Sequence, residues 1–204
     1  MTKPVLVLAT HNAHKVLELR RILGQRLDGI ELIAYDGPEP VEDGATFEAN
    51  AIIKARAAAA HTGLPAIADD SGISVDALGG APGIHSARYA GTRDDGDNLR
   101  LVLERMRDLP DRAAQFTCAA AFVDGTVHRV ELGVWPGTIL HEPAGVGGFG
   151  YDPIFTPDGL SVSSAELSAD QKNAISHRSL AFGKLIEVIR PLLLGEWTPP
   201  NVKL

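Results

Sequence analysis

The stretch PVLVLATHNAHKVLELRRIL, residues 4–23, decides the fold class. Residues 5–9 form a continuous run of apolar β-formers, the pattern of a strand covered on both faces. In residues 15–23, Val16, Leu19, Ile22 and Leu23 recur at helical spacing. A buried strand that feeds directly into a helix is the opening unit of a layered α/β fold. Outward from it, residues 46–61 are rich in Ala, with Phe47, Ala51 or Ile52, and Ala55 along one stripe and a stop at Gly63-Leu64-Pro65. Ala66-Ile67-Ala68 then enters Asp69-Asp70-Ser71-Gly72, with Ile73 and Val75 beyond, so the acidic pair is expected at a strand-to-turn junction.

Leu99, Val102, Leu103 and Met106 predict a third helix that begins near residues 95–98 and ends before Pro110. At Phe116 the period changes. Residues 116–123 and 126–135 read as strands joined by Asp124-Gly125, a two-residue hairpin signal. Ser168-Ala169-Asp170-Gln171 has capping-box form ahead of one long helix bearing Ile175, Leu180, Leu185, Val188 and Ile189. Lys172 and Ser176 would share a face of that helix, with His177 and Arg178 pointing elsewhere. Residues 196–204, with Pro199-Pro200, read as a frayed tail. These elements predict an α/β protein with a mixed sheet, and no composition break divides residues 1–204 into separate domains.

The chain has 204 residues, 45% of them apolar, and carries 19 Lys+Arg against 26 Asp+Glu, a net charge of −7. Such acidity argues against a nucleic-acid partner, whose phosphates need many cations. Cys118 is the single cysteine, which excludes an internal disulfide and a multi-Cys zinc site, and it is expected to be packing rather than a nucleophile. No run approaches the roughly 20 apolar residues of a membrane span, and the apolar N-terminal run is too short for a signal peptide. A cytoplasmic protein with no membrane partner is expected.

The chemistry-bearing segments each admit a plain alternative. Thr10, His11, Asn12, Ala13, His14 and Lys15 lie between a strand and a helix start, where free N–H groups and the dipole favour an anion; the alternative is an N-cap with a surface lysine. Asp69 and Asp70 repel each other unless they diverge or share a cation, and Mg²⁺ with Glu42 as a further ligand is the natural candidate; the alternative is a solvated acidic turn. Gly145 to Gly150 formally matches G-x-G-x-x-G, but no helix is expected after it, so a dinucleotide fingerprint is rejected. Phe149 and Tyr151 offer flat faces for a base, or serve as core aromatics beside a turn. Lys172, His177 and Arg178 are donors for phosphate or a base carbonyl, or the polar face of a surface helix. The histidines show no metal-ligand spacing.

In order along the chain, THNAHK, EDGATF from Glu42, ADDSGI from Ala68, GAPGIHSARY from Gly80, GFGYDPIF from Gly148 and SHR from Ser176 resemble the inosine/xanthosine triphosphate pyrophosphatases, the house-cleaning family for noncanonical purine nucleotides. The match spans residues 5–190. The resemblance implies an elongated α/β fold with two lobes around a nucleotide cleft, Mg²⁺ as cofactor, a homodimer, and release of pyrophosphate from ITP, dITP or XTP. It further implies that Thr10 to Lys15 bind the triphosphate, that Asp70 ligates Mg²⁺ and accepts a proton, and that Ser71 touches substrate. Phe149, Gly150, Tyr151, Asp152, Lys172, His177 and Arg178 would bind the nucleotide, the last two near the base.

The family's T-F-x-E-N-A reads Thr46-Phe47-Glu48-Ala49-Asn50-Ala51 here. Loss of the capping-box Glu should weaken that helix start by about 0.5–1 kcal/mol, and any metal role would fall to Glu42 or to Glu48 reaching around. Lys15 and Lys172 would stabilise the departing pyrophosphate, while Asp70 or Asp69 orients the attacking water; the sequence leaves that choice open. A nucleotide-binding regulatory module that does not hydrolyse, and a pyrophosphatase for other modified nucleotides, are the competing expectations.

Overall fold

A computed structural model describes residues 3–11 and 13–196, the side chains of residues 13 and 14 excepted. In chain order the elements are β1 (Val5–Leu8), α1 (Ala13–Leu23), β2 (Glu31–Ala34), α2 (Phe47–Thr62), β3 (Ala66–Val75), α3 (Asp95–Arg105), β4 (Ala113–Asp124), β5 (Val127–Ile139), β6 (Phe155–Pro157), α4 (Ala169–Ile175) and α5 (His177–Leu193). The strands form one sheet ordered β2-β1-β3-β4-β5-β6. β1 is parallel to β2 and β3, because α1 and α2 act as crossovers that return the chain in the same direction. The later pairs are antiparallel, so the sheet is mixed as expected. Asp124 pairs with Val127, which makes the turn residues Gly125 and Thr126 rather than Asp124-Gly125. Gly125 takes φ +55°, the sign that such a turn demands and that a side chain resists.

Burial on both faces explains the apolar run of β1. Leu6 and Leu8 pack with Ile67, Cys118 and Phe122 under α1 and α5, whereas Val7 turns to the opposite face. There Ala51, Ala55 and Ala58 of α2 meet Ala66, Ala68, Ala119 and Ala121, small residues that let the helix lie close to the sheet. Farther along the α5 side of the sheet, Ile73 and Val75 join Phe116, Trp135, Tyr151 and Phe155 in another core, closed by Leu99, Val102 and Met106. Asp69 and Ser71, by strand alternation, occupy the same side of β3 between these two cores. Cys118 is fully buried, and burial pushes its thiol up to about 12, so it is inert packing.

Helix starts follow the capping signals. Thr46 accepts the Ala49 N–H at 3.2 Å, and Asp94 accepts that of Asp97 at 2.8 Å. With Ala49 in place of Glu, α2 begins on one half of a capping box. Ser168 and Gln171 make the full box of α4, at 3.2 and 2.9 Å.

The expected single long helix is broken at Ser176. Its extended backbone, ψ 157°, closes α4 through a 2.9 Å bond to the Lys172 carbonyl, while its hydroxyl caps Ser179 N at 3.3 Å to start α5. The break resets the helical phase, so Ala181, Phe182, Leu185, Ile186 and Ile189 form the buried stripe, and Ile175, Leu180 and Val188 are partly exposed. The first turn of α5 lies so close to β5 that a Cβ at Gly133 would collide with the His177 carbonyl. Among the described residues, no helix is long and apolar enough to cross a membrane.

Candidate active site

A cleft of about 560 Å³ opens beside the middle of β3. Its chemistry follows from a correction to the sequence reading: Asp69 and Asp70 lie inside β3, not at a strand-to-turn junction, and pair across to Ala120 and Ala119 of β4. Successive strand residues point to opposite faces, so the two carboxylates diverge and each meets its own cation. That divergence removes the repulsion expected of adjacent acids.

Asp69 faces α1 and α5. Its Oδ2 accepts from Lys15 Nζ at 3.0 Å, from Ser71 Oγ at 2.9 Å, and from Arg178 Nε and Nη2 at 3.4 Å each. Burial alone would raise its pKa, but Lys15, Arg178 and Lys54 together hold the carboxyl well below the usual range. Asp70 faces α2, where Oδ1 accepts from Lys54 Nζ at 3.0 Å and Oδ2 from Asn50 Nδ2 at 3.2 Å. Its pKa is raised, chiefly by burial and further by Glu42, against the pull of Lys54. Lys54 also donates to Glu42 at 3.1 Å, and Asn50 is fixed in turn by the Gly44 N–H at 2.8 Å. Burial tends to neutralise the Lys54 ammonium, but Asp70, Asp69 and Glu42 outweigh it and raise its pKa.

The other end of the cleft is aromatic. Phe149 lies under two cations, with Lys172 Nζ 5.0 Å and the Arg178 guanidinium carbon 5.6 Å from its ring centroid. Asp152 organises this wall: it accepts from Phe149 N at 2.8 Å, from Lys172 at 2.6 Å and from Ser164 Oγ at 2.8 Å. A Cβ at Gly148 would strike the Asp152 carboxylate, and its φ of +72° also favours glycine. Gly150 N donates to Asp95 at 2.7 Å, and the Tyr151 hydroxyl donates to the Ser86 carbonyl at 2.8 Å. His177 stacks on Phe116, 4.8 Å between centroids and 9° between planes. Burial, aided by Arg178 and Lys172, lowers its pKa well below 6.5, so the imidazole is neutral. Its Nδ1 is buried with no hydrogen-bond partner among the described residues.

The residues predicted from sequence are largely brought together. Thr10, His11, Lys15, Glu42, Asp69, Asp70, Ser71, Phe149, Gly150, Tyr151, Asp152, Lys172, His177 and Arg178 all line the cleft. His11 Nδ1 reaches Glu39 at 3.2 Å. Asn12 and the side chains of Ala13 and His14 lie outside the described residues. The expectation that Lys172 shares a face with Ser176 and that His177 and Arg178 point elsewhere is overturned. The helix break buries Ser176 completely and turns Lys172, His177 and Arg178 together toward the cleft.

Sequence reading missed Lys54, Asn50, Glu18 and Phe116. Asn50 and Lys54 stand four apart as polar interruptions of an Ala-rich helix, and that spacing on one face was the available signal. Glu18 stands three residues after Lys15 on the same helix. Phe116 carried no local signal, since its contact with His177 is made only by folding.

Two carboxylates, Glu42 and Asp70, converge on the single ammonium of Lys54. Among the described residues, no group of three or more His, Cys, Asp or Glu is placed so as to hold a metal ion by itself. Mg²⁺ is ordinarily held by one or two carboxylates completed by water and phosphate oxygens, so this donor set fits it. Glu42 rather than Glu48 lines the cleft.

Residues 6–188 match the model of the Ham1 family. The dITP/XTP pyrophosphatase of Leifsonia xyli subsp. xyli is 58% identical over 192 residues, covering 92% of this chain and 96% of that protein. The protein of the same name from Streptomyces coelicolor is 52% identical over 197 residues, covering 92% and 98%. Among solved structures, a HAM1 protein from Coxiella burnetii superposes with a TM-score of 0.84 at 43% identity, covering 92% of this chain and 98% of that one.

Proposed function

The chain belongs to the Ham1 family, and from that premise and the cleft's geometry we propose that it is a nucleoside-triphosphate pyrophosphatase acting on noncanonical purine nucleotides. Water adds across the α–β anhydride of dITP, ITP or XTP, leaving the nucleoside monophosphate and pyrophosphate. The observation that carries the reading is the divergence of Asp69 and Asp70. One strand presents a carboxylate with raised pKa to one face of the cleft, and to the other a permanently ionised one bound to Lys15 and Arg178.

Asp70 is the group that takes the proton of the attacking water. It stands on the Glu42 side of the cleft, held by Lys54 and Asn50, whereas Asp69 is committed to three neighbours through one oxygen. Lys15 and Lys54 place positive charge beside the reacting phosphates, where it counts most as charge develops on departing pyrophosphate. Glu42 and Asp70 would hold Mg²⁺, which neutralises phosphate oxygens when bound. Phe149 supplies a stacking face for the purine. Arg178 keeps donors on Nη1 and Nη2 for a 6-oxo group, which adenine replaces with a hydrogen-bearing amine; a mispaired donor costs about 1–3 kcal/mol.

The proposal extends to a homodimer, as the resemblance implies, and to a cytoplasmic location, which the lone Cys118 supports. Pyrophosphate release from ITP, dITP, XTP, dUTP, GTP and ATP, with Mg²⁺ and with chelator, tests the function. Fast release from ITP, dITP and XTP, in the presence of Mg²⁺ and not with chelator, is expected; GTP shares their 6-oxo group, so the Arg178 contact separates them from ATP and not from GTP. Binding without release, or equal turnover of dUTP, would overturn the proposal. Sedimentation of the intact protein tests the dimer.

A further inference from the structure

Lys15 and Glu18 stand one helical turn apart on α1, and both reach the same buried charge group. Lys15 bonds Asp69 at 3.0 Å, Asp69 meets Arg178 at 3.4 Å, and Arg178 Nη1 bonds Glu18 Oε2 at 2.7 Å, a line of four alternating charges that starts and ends on α1. Arg178 is 1% exposed, so its orientation is set by these partners rather than by water. The two Asp69 contacts lie at the outer limit of hydrogen bonding, whereas the Glu18 contact has the length of a strong charge-assisted bond. Glu18 is therefore the tightest of the anchors that hold the guanidinium. It does not line the cleft.

We infer that Glu18 is a positioning residue: it locks Arg178 against the base and, through Asp69, couples base recognition to Lys15 at the phosphate tail. The inference rests on the nucleotide reading of the cleft. Because Asp69 Oδ2 is shared by Lys15 and Arg178, a shift of the guanidinium alters the charge that Lys15 feels. Two effects of removing Glu18 are separable. A surplus cation beside the cleft would tighten every triphosphate alike, lowering KM for ITP and ATP together. A displaced Arg178 would lower the preference for ITP over ATP.

The test measures kcat and KM for ITP and ATP in the wild type, Glu18→Gln, Arg178→Gln and the double variant. Gln keeps the shape and an acceptor but removes the charge. The ITP-to-ATP ratio of kcat/KM is expected to fall about tenfold in Glu18→Gln. In the Arg178→Gln background the same change is expected to move the ratio less than about twofold, because Glu18 acts through that residue. An unchanged ratio in a folded Glu18→Gln, or an equal loss in both backgrounds, overturns the inference. Loss of the folded state in Glu18→Gln, followed by circular dichroism, would make Glu18 a stability residue and overturn it as well. A wild type that releases no pyrophosphate from ITP would sink the proposed function itself, whereas an active wild type with an indifferent Glu18 sinks this inference alone.

Discussion

Replacing each of the two adjacent aspartates by asparagine should give opposite outcomes. Asp69→Asn removes the charge that Lys15 and Arg178 share while keeping the side chain's shape, and Asp69 is 2% exposed. Breaking a buried ion pair at one partner costs about 3–5 kcal/mol, and the lower end applies because Glu18 still neutralises Arg178. For a chain of this size, about 3 kcal/mol lowers the melting temperature by about 6–12 °C. Asp70→Asn should behave differently. Burial raises the Asp70 pKa, so the folded state disfavours its charge, and Glu42 remains to neutralise Lys54 once that charge is gone, so the loss of stability should be clearly smaller than for Asp69→Asn. Activity is lost instead, by about 100-fold or more in kcat/KM for ITP, the range for deleting a general base. Thermal melts at neutral pH paired with a pyrophosphate-release assay measure both. If Asp70→Asn destabilises as much as Asp69→Asn, or if Asp69→Asn leaves the melting temperature within about 2 °C, the assignment of one carboxylate to structure and the other to chemistry is wrong.

Gly133→Ala should cost about 2 kcal/mol or more in urea titrations, because its new Cβ meets the His177 backbone and no rotamer change can relieve it; a loss of a few tenths would refute the close packing of α5 on β5. His177 is neutral when folded but titrates near 6.5 when unfolded. The unfolded chain thus gains a proton below that pH that the native state refuses, and stability falls with falling pH by up to about 1.4 kcal/mol per unit. Denaturant titrations at about pH 7 and about pH 5 should show a smaller difference for His177→Gln than for wild type. Lys54→Gln leaves Glu42 and Asp70 facing each other without their ammonium. Mg²⁺ should therefore raise the melting temperature of that variant more than that of wild type, and an equal shift would exclude these carboxylates as the metal site.

The sequence by itself determined the layer architecture. Apolar runs and helical spacing are local properties, so β1 into α1, the Ala-rich α2, α3 and the β4–β5 hairpin could all be read before folding. It also located the cleft residues as a set, because the motifs that resemble the pyrophosphatases are contiguous strings of residues. Element ends were less legible: the β4–β5 turn shifted by one residue because register depends on the partner strand, and Ser176 broke a helix whose apolar residues read as continuous. The facing of Asp69 and Asp70 was hidden because a strand and a turn look alike over so short a stretch, and only pairing with β4 fixed the alternation. Tertiary structure alone gave each carboxylate its cation, made Lys54 and Asn50 part of the site, stacked His177 on Phe116 and joined Glu18 to Arg178 across the interior. These pairings link residues far apart in the chain, and whether a charge stays ionised or gains basicity depends on burial and neighbours that exist only once the sheet is assembled.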